Sequence, residues 1–219
     1  MDKEPEINSI NENSNEDRFF RGQEKNIDEV FELNPELNEV GSKEKYQEYL
    51  ETIFPESKVK EILWHGTTGD WYKTESFNKE KRGTSTKNVT NTLGFYFVPD
   101  KKISNLFRKG ATFTMEKGIV YPEDTNSFPV ILDLRTPFTI SAEKFKESAE
   151  KNEIPEELKD RIGDGIIIEK FKRETEIIVP EFIANNYIVY EPEQIHILGS
   201  KFDIEKFREF SSKDKESIS

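Results

Sequence analysis

Residues 64–67 read Trp-His-Gly-Thr, and His65 is one of two histidines in a chain of 219 residues. A histidine that closes a short apolar run at a glycine sets an imidazole beside backbone with no side chain. A flat amide-bearing ligand can approach the N–H and C=O of Gly66 closely there, and Thr67 adds a hydroxyl. Further along, Gly94-Phe95-Tyr96-Phe97-Val98 alternates so that Gly94 and Tyr96 share one face and Phe95 and Phe97 the other. By spacing alone Tyr96 reads equally well as a core residue or a pocket wall, and His65 by itself as a packed histidine. Together they suggest one cleft.

The elements that must hold these residues are short. Between residues 26 and 33, Ile27, Val30 and Phe31 fall at helical spacing, and Ser42 caps a second predicted helix with Tyr46, Tyr49, Leu50 and Ile53 on one face, ended by Pro55. From Val59 the chain turns to β-rich runs between Gly, Pro, Asn and Asp. Strands are predicted at 62–65, 95–98, 130–134, 165–168, 176–179, 187–190 and 195–198. Helices are predicted at 101–108, at 141–151 with Ser141 as cap, at 155–162 with Pro155 in the first turn, and at 204–210. The class is α+β with a mainly antiparallel sheet and peripheral helices. Residues 79–93 and 110–127 exceed the usual loop length, which suits either binding lids or surface insertions.

Composition bounds the partners. Residues 1–57 carry 16 Asp and Glu against 6 Lys and Arg, so most of the net charge of −12 lies there. Such a chain, with no basic cluster, repels nucleic acid phosphates. Zero cysteines exclude disulfides and thiolate metal sites, and two histidines leave little for an imidazole site, so no metal is expected. No apolar run approaches a membrane span, and the acidic first residues do not read as a signal peptide, which fits a cytoplasmic protein. Residues 1–25 read as a disordered acidic tail, 26–210 as a single domain and 211–219 as a fraying end.

The ordered set His65-Gly66-Thr67, Gly94-Phe95-Tyr96-Phe97, Tyr187-Ile188-Val189-Tyr190 and Gln194-Ile195 resembles the motifs of ADP-ribosyltransferases of the diphtheria toxin and poly(ADP-ribose) polymerase type. The likeness covers about residues 60–198. With Asp164-Gly165-Ile166-Ile167 and the run from Glu193 to Ser200, the chain is similar to such domains in polyvalent proteins of phages and mobile elements. This resemblance implies a split β-sheet with NAD⁺ in its cleft, a protein acceptor for ADP-ribose, and the host cytosol as location if the source is a phage.

The same resemblance implies roles. His65 would bond an adenosine ribose hydroxyl, Gly66 backbone would clasp the nicotinamide carboxamide, and Ser104 would assist that amide. Tyr96 and Phe107 would pack on the nicotinamide ring, and residues 79–93 would cover the donor. Where the family has its glutamate, this chain has Asn186. Three readings follow: a substitute carboxylate such as Glu181 or Glu191, with Glu193 farther along; slow transfer of single ADP-ribose units supported by Asn186; or a catalytically silent module that binds NAD⁺ or a partner.

Overall fold

The computed structural model describes residues 26–68, 76–84, 88–106, 112–114, 118–120, 125–160, 163–172 and 183–216. Residues 26–33 form α1, followed by α2 (Leu37–Val40) and α3 (Lys43–Ile53). Next come β1 (Leu63–Thr68), β2 (Phe95–Phe97) and α4 (Lys101–Leu106), then the hairpin β3 (Thr112–Thr114) and β4 (Gly118–Val120), and β5 (Thr125–Leu132). The chain ends with β6 (Phe138–Ser141), α5 (Ala142–Glu150), β7 (Gly165–Lys172), β8 (Ile183–Val189), β9 (Ile195–Ile197) and α6 (Lys201–Glu216).

The strands form a three-stranded antiparallel sheet in the order β1-β5-β9 and a four-stranded sheet in the order β2-β8-β7-β6. The second is antiparallel except for the parallel β6/β7 pair. Alternation along each strand sorts side chains into layers. Between the sheets lie Leu63, Phe128, Val130, Leu132 and Ile197 from the first and Phe95, Phe97, Tyr187 and Val189 from the second. The outer face of the first sheet, through Ile62, Ile131 and Leu198, packs on α1, α3 and α6. The outer face of the second, through Ile140, Ile166, Ile168 and Ile188, packs on Phe145 of α5 and on Leu158. The class is α+β, built as helices, sheet, sheet, helix.

A buried carboxylate ties the helical layer down. Asp203 is fully buried, and its Oδ2 accepts hydrogen bonds from the Tyr46 hydroxyl (2.5 Å) and the Gly199 amide (2.7 Å). Its Oδ1 lies 2.7 Å from His196 Nε2, and Ser200 Oγ accepts from its own amide as the cap of α6. Burial and the neighbouring Asp203 charge push the Tyr46 phenol well above the ordinary tyrosine range. One side chain thereby joins α3, β9 and α6.

Several predicted elements differ in extent. Of the strand predicted at 130–134, residues 130–132 are the end of a longer one, since β5 begins at Thr125 and ends at Leu132, and β3 and β4 lie within residues 110–127. The described residues of 110–127 are strand rather than loop: β3 and β4 pair with each other, and the start of β5 is ordered by pairing along β1. Strand β6 was not predicted; its register against β7 orders it. The helix predicted at 155–162 is a single 3₁₀ turn, Glu156–Leu158, in which Leu158 alone is buried. Helix α6 starts at Lys201 and runs to Glu216, past the boundary at 210, because Ile204 and Phe207 anchor it to the outer layer. Ser42 and Ser141 cap α3 and α5 as expected, accepting from the amides of Lys45 and Lys144. The strand expected at 176–179 and the acidic tail at 1–25 lie outside the described residues.

Replacing Asp203 by Ala leaves Tyr46, His196 and the Gly199 amide without their common acceptor, so it should cost about 3 kcal/mol or more in urea unfolding. Tyr46→Phe removes one hydrogen bond to that carboxylate and should cost about 1–2 kcal/mol by the same measurement.

Candidate functional site

The two sheets meet at one rung. Trp64 and Val98 exchange both backbone hydrogen bonds, at 2.7 and 3.1 Å, and form an isolated antiparallel bridge. In a regular ladder the next hydrogen-bonded pair would be Gly66 with Tyr96. No such bridge forms among the described residues. Instead the Tyr96 carbonyl lies 2.8 Å from His65 Nδ1. A carbonyl only accepts, so Nδ1 carries the hydrogen and Nε2 of the neutral ring holds the lone pair. The imidazole takes the acceptor that a ladder would have given to Gly66 N–H, and β1 and β2 diverge from there.

Strand alternation turns the N–H and C=O of Gly66 toward this fork, as it does those of Trp64. The face of Gly66 that lacks a side chain is pressed on α4. A Cβ there would stand 2.3 Å from the Ser104 carbonyl oxygen and 3.5 Å from Ser104 Oγ. Only glycine permits that approach. The Lys101 ammonium lies 5.0 Å from the centre of the Trp64 ring, and Ile103 packs with Trp64 and Val98, so the first turn of α4 is fixed on β1.

The imidazole itself lies on the inter-sheet face, among Phe77, Phe97 and Phe128 at centroid distances of 5.1–5.4 Å. Burial in this aromatic nest pulls its pKa down to about 4, against the opposing hydrogen bond to Tyr96. His65 is therefore neutral at pH 7. Thr67, also buried, shares that face by alternation, so its hydroxyl is directed away from the glycine surface on which α4 packs.

Tyr96 points outward from the second sheet, packs against the cluster that includes Leu93 and Ile188, and donates its hydroxyl to the Thr90 carbonyl at 2.6 Å. Burial raises its phenol well above the usual range. Asn186 shares this face: it pairs with Ile168 on β7, and the register of β2 on β8 brings it level with Val98. It is 6% exposed, and its side-chain amide makes no hydrogen bond to a described residue.

Residues 79–84 and 88–93 pack over the outer face of the second sheet. Lys79 pairs with Glu191, Arg82 Nη1 donates to the Tyr190 carbonyl (2.9 Å), Asn88 Nδ2 to the Ala149 carbonyl (2.9 Å), and the Val89 amide to Asn152 Oδ1 (2.8 Å). The Tyr96 hydroxyl on Thr90 adds an anchor from the fork side.

The structure thus gathers Gly66, Ser104, Tyr96 and Asn186 around the fork and sets the His65 ring behind it. Phe107 and Glu181 lie outside the described residues. Glu191 and Glu193 follow the C-terminal end of β8, Glu191 tied to Lys79 and Glu193 exposed. Glu61 is held by the Tyr187 hydroxyl on the inter-sheet side, opposite Asn186, where burial raises its pKa. Two further residues belong to the site and carry no signal in the sequence. Ser127, paired with Gly66 across β1/β5, lies beside Ser104 Oγ and donates to Asn105 Oδ1 at 2.7 Å. Among the described residues no group of three or more His, Cys, Asp and Glu is placed to hold a metal, and no described helix is long and apolar enough to cross a membrane.

Comparison with protein-family models, with curated proteins and with solved structures returns no match.

Because the folded pKa of His65 lies below the unfolded value near 6.5, the unfolded chain binds the extra proton between them. The stability tied to the neutral ring is present above about pH 6.5 and is lost as pH falls toward 4, by roughly 2–3 kcal/mol. Urea unfolding of the wild type between pH 7 and 4 should fall more steeply than that of His65→Gln, which keeps a donor for Tyr96 and does not titrate. Equal slopes would contradict the buried neutral imidazole.

Proposed function

We propose that the fork is a nicotinamide site, and that this chain is an NAD⁺-binding domain of the ADP-ribosyltransferase type with a split β-sheet. The observation that carries the reading is the edge of Gly66. A backbone N–H and C=O, side by side and without a Tyr96 partner, complement the C=O and N–H of a primary carboxamide. Ser104 packs on the bare face of this glycine, its Oγ 3.5 Å from where a Cβ would stand. The Tyr96 ring, on the same face, offers a π surface suited to a flat cationic pyridinium. The Asn186 amide is a polar contact for the ribose on the nicotinamide side, and His65 holds the Tyr96 carbonyl behind the fork.

The particular activity proposed is transfer of single ADP-ribose units from NAD⁺ to a macromolecular acceptor, most simply a protein. Cleavage of the nicotinamide–ribose bond develops positive charge on the ribose. Asn186 can orient a ribose hydroxyl but brings no charge to that centre, and one focused electrostatic partner is worth about 3 kcal/mol. A second reading rests on this same residue: a catalytically silent module that binds NAD⁺ or a partner. The phage or mobile-element setting and a cytosolic location accompany the family resemblance and remain proposals with it.

Two measurements separate the readings. Calorimetric titration with NAD⁺ should show binding that Tyr96→Ala weakens; no binding by the wild-type chain would overturn both. Incubation with labelled NAD⁺ and cell lysate should give label transfer above that of a His65→Ala, Tyr96→Ala double variant. Asn186→Glu should raise the transfer rate on the order of a hundredfold by supplying the missing charge. Binding without transfer, in wild type and Asn186→Glu alike, would leave the silent module as the function.

A further inference from the structure

We propose that α1 clamps the fork through a pair of positioning residues, Glu29 and Lys101, which keep α4 seated on β1. This rests on the fork being the nicotinamide site. Ile27, Val30 and Phe31 bury the apolar side of α1 in the layer beneath the first sheet. Glu29 is turned to α4 instead. Its Oε2 is enclosed, accepts no hydrogen bond from a described residue, and lies 4.0 Å from the Lys101 ammonium. One turn earlier on α1, Asn26 Nδ2 reaches the Ile62 carbonyl, just ahead of β1, at 3.4 Å. The same Lys101 ammonium stands 5.0 Å from the centre of the Trp64 ring. Trp64 is fully buried and its Nε1 donates to no described residue, so packing and Lys101 hold the ring without a hydrogen bond.

Lys101 is ill placed for the helix it begins. A cation in the first turn opposes the helix dipole, and α4 is six residues long, so its seat depends on tertiary contacts. Lys101 and Ser104 lie one turn apart on α4, and they meet Trp64 and Gly66 on β1. The Gly66 contact is rigid, since backbone meets backbone and leaves no room for a Cβ. The Trp64 contact is adjustable, because a lysine stem has many rotamers and its head is drawn to water unless a counter-charge holds it. Glu29 is that counter-charge, and it comes from α1. Without it α4 can tilt about its contact with Gly66, and the strand edge next to the Trp64–Val98 bridge loses its backing. A helix that does not touch the ligand thereby sets how well the fork binds it.

The test uses the full chain and two readouts: the indole N–H resonance of Trp64, assigned with Trp71→Phe since the chain has two tryptophans, and calorimetric affinity for NAD⁺. Glu29→Gln removes the charge and keeps the shape; Lys101→Met keeps the stem over Trp64 and removes the ammonium. Each should move the resonance and weaken NAD⁺ binding about fivefold, at a temperature where circular dichroism shows the variant folded. The double variant should lose no more than either single one, because the two residues act as one unit. Lys101→Arg, which keeps the charge and stacks on the ring, should bind NAD⁺ like the wild type. Additive losses, or a shifted resonance at unchanged affinity, would overturn the clamp while the NAD⁺ reading stands. Weaker binding with the resonance in place overturns it too, since the effect would not pass through Trp64, and so does no change in either readout. Absence of NAD⁺ binding by the wild type overturns the nicotinamide site and the clamp together.

Discussion

One hydrogen bond, from His65 Nδ1 to the Tyr96 carbonyl, governs the centre of this protein. The two sheets share a single rung at Trp64 and Val98, and the acceptor that would have continued the ladder is taken by the imidazole. A continuous sheet at this point would satisfy Gly66 with protein and leave nothing for a ligand. The divergence instead leaves a donor and an acceptor on rigid strand backbone, and such groups are held with less lost entropy than those on a flexible side chain. The aromatic residues around His65 keep it neutral. The same interaction shapes the fork and fixes the tautomer.

Around that fork the two sides are stabilised by different means. On the β1 side, α4 is brought to van der Waals contact with glycine backbone, and its first turn is secured by Lys101 on Trp64. On the β2 side, Tyr96 is pinned by Thr90, and residues 79–93 are tied at several described points to β8 and α5. A disturbance in those contacts would reach the Tyr96 ring directly. The helices beneath the first sheet are organised separately, by Asp203 and its three donors, and that cluster lies on the opposite side of the sheet from the aromatic nest of His65.

Asn186 separates recognition from chemistry. In the proposed reading, its place on β8 suits contact with a ribose, while its neutrality withholds the charge that would stabilise a cationic transition state. Glu61, the buried carboxylate of this region, is turned to the inter-sheet side and engaged by Tyr187.

Much of this was legible in order but not in depth. Strand periodicity located β1, β2, β7, β8 and β9 to within a few residues, and serine caps located α3 and α5, because such signals are local. His65, Gly66, Tyr96 and Asn186 stood out by residue type and order along the chain. β6, the β3/β4 hairpin and the start of β5 were missed, since polar strands are ordered by their partners rather than by their own composition. Ser127 fell in a predicted loop, and Asn105 in a predicted helix with no signal of its own. Sequence by itself determined which residues alternate, which glycine admits close approach and which position lacks a carboxylate. Only tertiary structure decided that β1 and β2 share one rung, that the imidazole and the Tyr96 ring lie on opposite faces, and that Ser104 shares a hydrogen bond with a serine 23 residues beyond it. Those facts depend on register and on hydrogen-bond partners distant in the chain, and no local pattern encodes either.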